Sequence, residues 1–317
     1  MLNAVFLFTG FVPLIFGANL LVDSASALAK KLNIPNIVIG LTIVAFGTSM
    51  PELIVNLFSA STGHSDIALG NVIGSNIFNV LCILGVSAVI FPLAVKTTTT
   101  WIEIPFSFLA ALVVLVAAND ILLDHAGAQV IDRGEGILLL LFFVIFLGYN
   151  FNSIKTGSFT EEVTVKDYTI AKSIILLVLG IILLVISGRF IVFFAVRFAL
   201  EIGLSERVIA LTIVSIGTSL PELVTSAVSA SKRNVDIAIG NIVGSNIFNI
   251  FLILGISAVI RPITVQPGAA FDLIVNMAAG LLLFLFIFTG KGRRLERWEG
   301  VIFLALFIAY ETVVLLN

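Results

Sequence analysis

Runs of about 20 apolar residues follow one another along the whole chain, each long enough to cross the hydrocarbon of a bilayer as a helix. They predict ten membrane spans at about 4–29, 34–61, 66–92, 101–119, 133–151, 170–198, 205–231, 236–262, 270–289 and 298–316. The one polar connection of any length runs from Asn152 to Asp167 and carries Lys155, Glu161, Glu162, Lys166 and Asp167. It divides the chain into a five-span half at 1–151, a linker at 152–169 and a second five-span half at 170–317. The fold class expected is an all-α polytopic membrane protein. The first run ends on Ser26-Ala27-Leu28-Ala29, which resembles a small-residue cleavage site, but no basic residue precedes it. It reads as a span and not as a signal peptide.

The two halves are copies. Glu52 and Glu222, Asn79 and Asn249, and Pro92 and Pro262 are each 170 residues apart, so the halves align without gaps from about Phe16 to Pro92. From Gly40 onward roughly three positions in five are identical, a signal of internal duplication. Five spans is an odd number, so the second copy enters the membrane from the opposite side. The repeats are then inverted, an arrangement that places a midplane site between related halves. Basic residues follow the same alternation. Lys30, Lys31, Lys96, Lys155, Lys166, Lys172, Lys232, Arg233, Lys291, Arg293, Arg294 and Arg297 lie on one face; only Arg133, Arg197, Arg207 and Arg261 lie on the other. The richer face is expected to be cytoplasmic, with both termini outside.

Composition agrees with a membrane protein: of 317 residues 59% are hydrophobic and 11% charged, and the mean hydropathy is +1.18. Soluble domains carry about a quarter charged residues. A net charge of -2 with no basic block excludes nucleic acid as a partner. A single cysteine, Cys82, excludes an internal disulfide and a thiolate metal cluster; it reads as a packing residue.

Against this background the polar residues inside spans two, three, seven and eight stand out. Gly47-Thr48-Ser49-Met50-Pro51-Glu52 and Gly217-Thr218-Ser219-Leu220-Pro221-Glu222 each put a carboxylate, two hydroxyls and a proline into apolar sequence. A glutamate at the centre of a span costs roughly 3 kcal/mol. Proline removes a donor and crowds the carbonyl four residues back, so the helix is expected to break there and leave carbonyls near Ala45 to Gly47 unpaired. Thr48, Ser49 and Glu52 lie three or four apart and share a face, as do Ser75 and Asn79 in the next span. Thr218, Ser219, Glu222, Ser245 and Asn249 repeat these registers. Carboxylates, amides, hydroxyls and freed carbonyls form an all-oxygen set that suits a hard cation such as calcium. Two ionised glutamates match one divalent or two monovalent ions. An empty buried pair is costly, so the protein is expected to reorient when loaded and not when empty, as an exchanger does.

These paired segments, with Gly-Asn-x-x-Gly-Ser-Asn-Ile-Phe-Asn at 70–79 and 240–249, resemble the two alpha repeats of the calcium/cation antiporter superfamily, particularly prokaryotic sodium/calcium exchangers. The resemblance implies an electrogenic antiporter of Ca2+ and Na+ working by alternating access, with spans one and six sliding as a tilted pair. It implies ion ligands at Glu52, Glu222, Thr48, Thr218, Ser49, Ser219, Ser75, Ser245 and Asn79, with backbone carbonyls from Ala45 and Ser215. Asn249 departs from members, the potassium-dependent branch among them, that carry aspartate there, and this speaks against potassium co-transport. The resemblance implies inorganic cations and the lipid bilayer of the plasma membrane as partners, no cofactor beyond the transported ions, and no obligate protein partner. A calcium/proton antiporter is the main rival, since the same carboxylates could carry protons. A cation channel fits less well because channels build filters by oligomeric symmetry. An intramembrane serine enzyme would need a histidine or lysine base near the nucleophile, and neither histidine lies inside a span.

The remaining polar residues have plainer readings. Asn76 and Asn246 stand equally as supports for the ligands or as interhelical hydrogen-bond partners, and Asn56, replaced by Ser226 in the second copy, as packing. Arg189, where the first copy has Asn19, is expected to reach an interface along its apolar stem, or else to form a gating salt bridge. Glu103 and Asp272 read as interfacial, and His64 and His125 as loop residues.

Overall fold

A computed structural model of the chain describes residues 2–62, 65–119, 129–156, 165–202, 215–266, 268–290 and 292–316. Its helices are α1 (Leu2–Leu32), α2 (Asn36–Thr48), α3 (Met50–Thr62), α4 (Ala68–Ile90), α5 (Thr99–Ala117) and α6 (Arg133–Thr156), then α7 (Ile170–Glu201), α8 (Ser215–Thr218), α9 (Leu220–Ser231), α10 (Val235–Ile260), α11 (Ala269–Phe286) and α12 (Arg297–Leu316). Eight of these are long and apolar enough to cross a membrane singly, and α2 with α3 makes a ninth candidate, bent by 49°. Of the run expected at 205–231, positions before 215 lie outside the described residues, as do Glu161, Glu162, His64, His125, Arg207 and Lys291.

The break in α2–α3 falls on Ser49, two residues before the proline, at φ -81° and ψ 8°. Ser219 breaks α8–α9 in nearly the same conformation, φ -89° and ψ 9°. Proline is tolerated in the first turn of a helix, where its missing N–H has no partner to lose, so Pro51 and Pro221 start the outgoing helices and the serine takes the bend. The carbonyl expected to be freed at Ala45 is engaged instead, accepting from Ser49 N at 3.0 Å.

α1 and α7 pack along each other in opposite directions: Gly10 faces Ile191, while Gly17 and Leu21 face Gly180. A Cβ on Gly180 would lie 2.8 Å from Leu21 N, so only glycine permits the approach. Leu14, Ala18, Leu21 and Ala25 of α1 meet Leu177, Leu184 and Ile191 of α7 in a separate apolar cluster. The main core is built on α4 and α10, and every residue of Val235–Ile247 is buried. Around it α5, α6, α11 and α12 turn apolar side chains outward, Leu138, Leu141, Val144 and Ile145 of α6 among them, as a bilayer requires.

Two short antiparallel strand pairs staple one half to the other: β1 (Leu93–Ala94) with β4 (Arg294–Leu295), and β2 (Val130–Ile131) with β3 (Ile263–Thr264). β1 and β3 are equivalent under the offset of 170, so the two staples exchange partners between the halves.

Candidate functional site

The two helix breaks face each other across α4 and α10. Ser49 Oγ lies 2.9 Å from Glu222 Oε1 and 3.0 Å from Ser245 Oγ. Having one proton, it donates to the carboxylate and accepts from Ser245. Ser219 repeats the pattern with the halves exchanged, 2.9 Å from Glu52 Oε1 and 3.1 Å from Ser75 Oγ. Each glutamate is therefore held by the serine of the other copy. Both carboxylates are 1% exposed, and Ser49, Ser75, Ser219 and Ser245 are buried with them.

Asn79 and Asn249 sit at the start of π-helical turns, Phe78–Leu84 and Phe248–Leu254, and such local widening of a helix is frequent at functional sites. Asn79 Nδ2 donates to Asn246 Oδ1 at 2.9 Å and Asn249 Nδ2 to Asn76 Oδ1 at 3.0 Å. Asn76 and Asn246 thus orient the amides of Asn79 and Asn249, and Asn76 Nδ2 also reaches the Asn246 carbonyl at 3.3 Å. Of the two readings the sequence left balanced, the interhelical bonds are present.

This tethering leaves acceptors unused. Glu52 Oε2, Glu222 Oε2, Asn79 Oδ1 and Asn249 Oδ1 are buried with no donor among the described residues. An uncompensated buried carboxylate is costly, and a cation supplies what these oxygens lack. No group of three or more His, Cys, Asp or Glu side chains able to hold a metal occurs among the described residues. Among the described residues the unpartnered atoms of the cluster are oxygens, two from carboxylates and two from amides.

Thr48 lies 2.9 Å from Asn241 Oδ1 and 3.2 Å from Ala45 O, both acceptors for its single proton. Asn241 is buried, and its amide donates to Ser226 Oγ at 2.9 Å and the Glu222 carbonyl at 3.3 Å. Neither Asn241 nor its counterpart Asn71 was singled out from sequence. The available signal was their position four before Ser245 and Ser75, on the same helix face in both copies. Asn56 Nδ2 bonds the Glu52 carbonyl at 2.8 Å, so its packing role includes fixing α3 beside the carboxylate. Ser215 begins α8, and Ser219 N bonds Ile216 O at 3.1 Å, one residue later than the Ala45 acceptor used by Ser49.

A cavity of about 280 Å3 reaches Thr218 between Pro51 and Val55 of α3, Gly188 and Arg189 of α7, and Pro221. Arg189 is exposed and makes no ion pair among the described residues. A second cavity, about 440 Å3, is bounded by Asn19, Asp23 and Ser26 of α1, Lys166, Lys232 and Asn234. Across it α1 is tied by Asp23 to Lys232 at 2.6 Å and by Ser26 to Asn234 at 2.8 Å. Away from both cavities, Glu103 is buried and accepts from Tyr149. Asp272 is bonded by Tyr310 at 3.0 Å, and Cys82 is a half-buried free thiol.

Comparison with known proteins bears on what this arrangement does. The profile described as "Sodium/calcium exchanger protein" matches residues 2–152 and again 172–316. A chain designated as an antiporter, CaxA of Alkalimonas amylolytica, is 39% identical, with 97% of each chain covered. Sodium/calcium exchanger MaX1 of Methanosarcina acetivorans is 34% identical, with 98% of each covered. A solved structure of the sodium-calcium exchanger NCX_Mj, soaked with Na+ and Ca2+, superposes with a TM-score of 0.82 at 30% identity, covering 98% of this chain and 97% of that one.

Proposed function

This chain belongs to the sodium/calcium exchanger protein family, a family of multi-pass membrane cation exchangers, and from that premise we propose that it exchanges calcium for sodium by alternating access at the Glu52–Glu222 cluster. The observation that carries the reading is the pair of buried carboxylates, one from each copy, with Oε2 unpartnered on both. One Ca2+ neutralises the pair. Sodium ions would use the same carboxylates with the hydroxyls of Thr48, Thr218, Ser49, Ser219, Ser75 and Ser245, the Oδ1 atoms of Asn79 and Asn249, and the carbonyls of Ala45 and Ser215. The abundance of neutral oxygens favours a desolvated alkali ion over a proton as counter-ion, since a proton needs only a carboxylate.

The architecture proposed is ten spans in two inverted halves, 1–151 and 170–317, with both termini outside the plasma membrane and the 152–169 linker inside. Two observations support the inversion: α1 and α7, equivalent by sequence, run antiparallel, and the serine–glutamate bonds exchange halves. Exchange is electrogenic if more than two sodium ions return per calcium. The neutral Asn249 favours independence from potassium.

Calcium-45 uptake into voltage-clamped proteoliposomes tests this. An outward sodium gradient should drive uptake, with no need for potassium. Uptake driven by an outward proton gradient alone would overturn sodium as counter-ion and leave a calcium/proton antiporter.

A further inference from the structure

Arg189 brings a positive charge to the cavity that reaches Thr218. Thr218, a candidate ligand, lines that cavity, and Pro51 and Pro221, which share it, stand next to the buried Glu52 and Glu222 at the start of the helices that carry them. The remaining α7 wall is apolar or glycine: Val185, Gly188, Val192 and Phe193. A guanidinium stays charged at any pH the protein meets, and apolar walls screen it less than open water does.

The offset of 170 sets Asn19 in the place of Arg189, and Asn19 lines the other cavity, beside Asp23 and Ser26. Equivalent positions in the two copies thus border two separate cavities. The α7 position carries a full positive charge and the α1 position a neutral amide, while the charges around the α1 cavity, Asp23, Lys166 and Lys232, come from other positions.

We propose that Arg189 is a specificity-determining residue for the exchange, biasing its cavity toward monovalent over divalent cations. The inference rests on the sodium/calcium reading. Coulomb repulsion is linear in the charge of the approaching ion, so whatever factor Arg189 imposes on sodium binding is squared for calcium. A repulsion of roughly threefold for sodium is therefore roughly tenfold for calcium. Per ion, the bias raises the calcium concentration needed to load the site more than it raises the sodium concentration; two sodium ions together meet the same repulsion as one calcium.

The test is equilibrium binding to the intact, detergent-solubilised protein, with calcium-45 measured directly and sodium by displacement. Arg189→Asn, which restores the residue of the first copy, should tighten calcium about tenfold and sodium about threefold. Arg189→Lys, which keeps the charge, should stay near wild type, and added inert salt should shrink the difference. Equal shifts for both ions, no shift in Arg189→Asn, or a Lys variant that behaves like Asn would overturn the proposal. A wild-type protein that binds both ions without exchanging them defeats the functional reading alone, because the ratio of the two shifts still decides the role of Arg189.

Discussion

The two sides of the oxygen cluster are made from the same motif and end differently. Beside Glu222, Thr48 is buried against Asn241, whose amide is spent on Ser226 and on the Glu222 carbonyl. Beside Glu52, Thr218 borders the 280 Å3 cavity, and Asn71 Nδ2 has no partner among the described residues. The divergence lies in residues that the duplication did not preserve. Ser226 is short enough to accept from Asn241, whereas Asn56 turns its amide back onto the Glu52 carbonyl. Asp23 and Ser26 tie α1 to Lys232 and Asn234; the equivalent places hold Phe193, Val196, Thr62 and His64, which offer no such ion pair. Matched positions build the cluster, and unmatched positions decide which side of it is closed.

The largest expected effect tests the matched part. Glu52→Gln and Glu222→Gln each keep the side chain's shape and remove half the charge of the pair, so each should reduce calcium exchange at least about a hundredfold in proteoliposomes. The protein should still elute as a folded species. Exchange near wild type in either variant would break the symmetry argument.

A smaller effect tests the closed end. Asp23→Asn with Lys232→Gln removes a half-buried ion pair, of the order of 1 kcal/mol or about fivefold in a two-state equilibrium. Val22→Cys, buried beside that pair, should then react about fivefold faster with an impermeant thiol reagent in a Cys82→Ala background. Unchanged labelling would mean that the tie does not hold α1.

Asparagine truncation sharpens the contrast further. Asn241→Ala removes the bonds from its amide to Ser226 and the Glu222 carbonyl and the shorter of the two acceptors of Thr48, and should cost about 1–3 kcal/mol of stability. Asn71→Ala removes an amide whose Nδ2 already lacks a partner among the described residues and should cost less, and thermal melts of the two variants fix the order. The smallest effect concerns Asp167, whose carboxyl is held below the usual carboxylate range by its bond to Lys31. A lowered pKa stabilises the fold above the unfolded value and loses that contribution as pH falls through the folded value. Asp167→Asn should therefore lower Tm slightly at neutral pH and not at all in strong acid.

Much of this was legible in the residues because the chain is written twice. The glutamates, serines and asparagines that converge could be paired by the offset of 170 before any geometry was known. The exact bend could not, since local sequence marks the proline, while the serine before it takes the φ/ψ change. Nor could the work of Asn241, Asn76 and Asn246, whose bonds to the other half span 167 to 193 positions and leave no trace in helical periodicity. Glu103 likewise gains from Tyr149 on α6 a buried partner that its place at a span end does not announce.

The central claim is that both copies complete one cation site, and equilibrium calcium-45 binding to the purified protein tests it most directly. The account predicts one calcium per chain, displaced by sodium, and no calcium bound by either Glu52→Gln or Glu222→Gln. Two calcium ions per chain, or wild-type binding that survives the loss of either carboxylate, would contradict it.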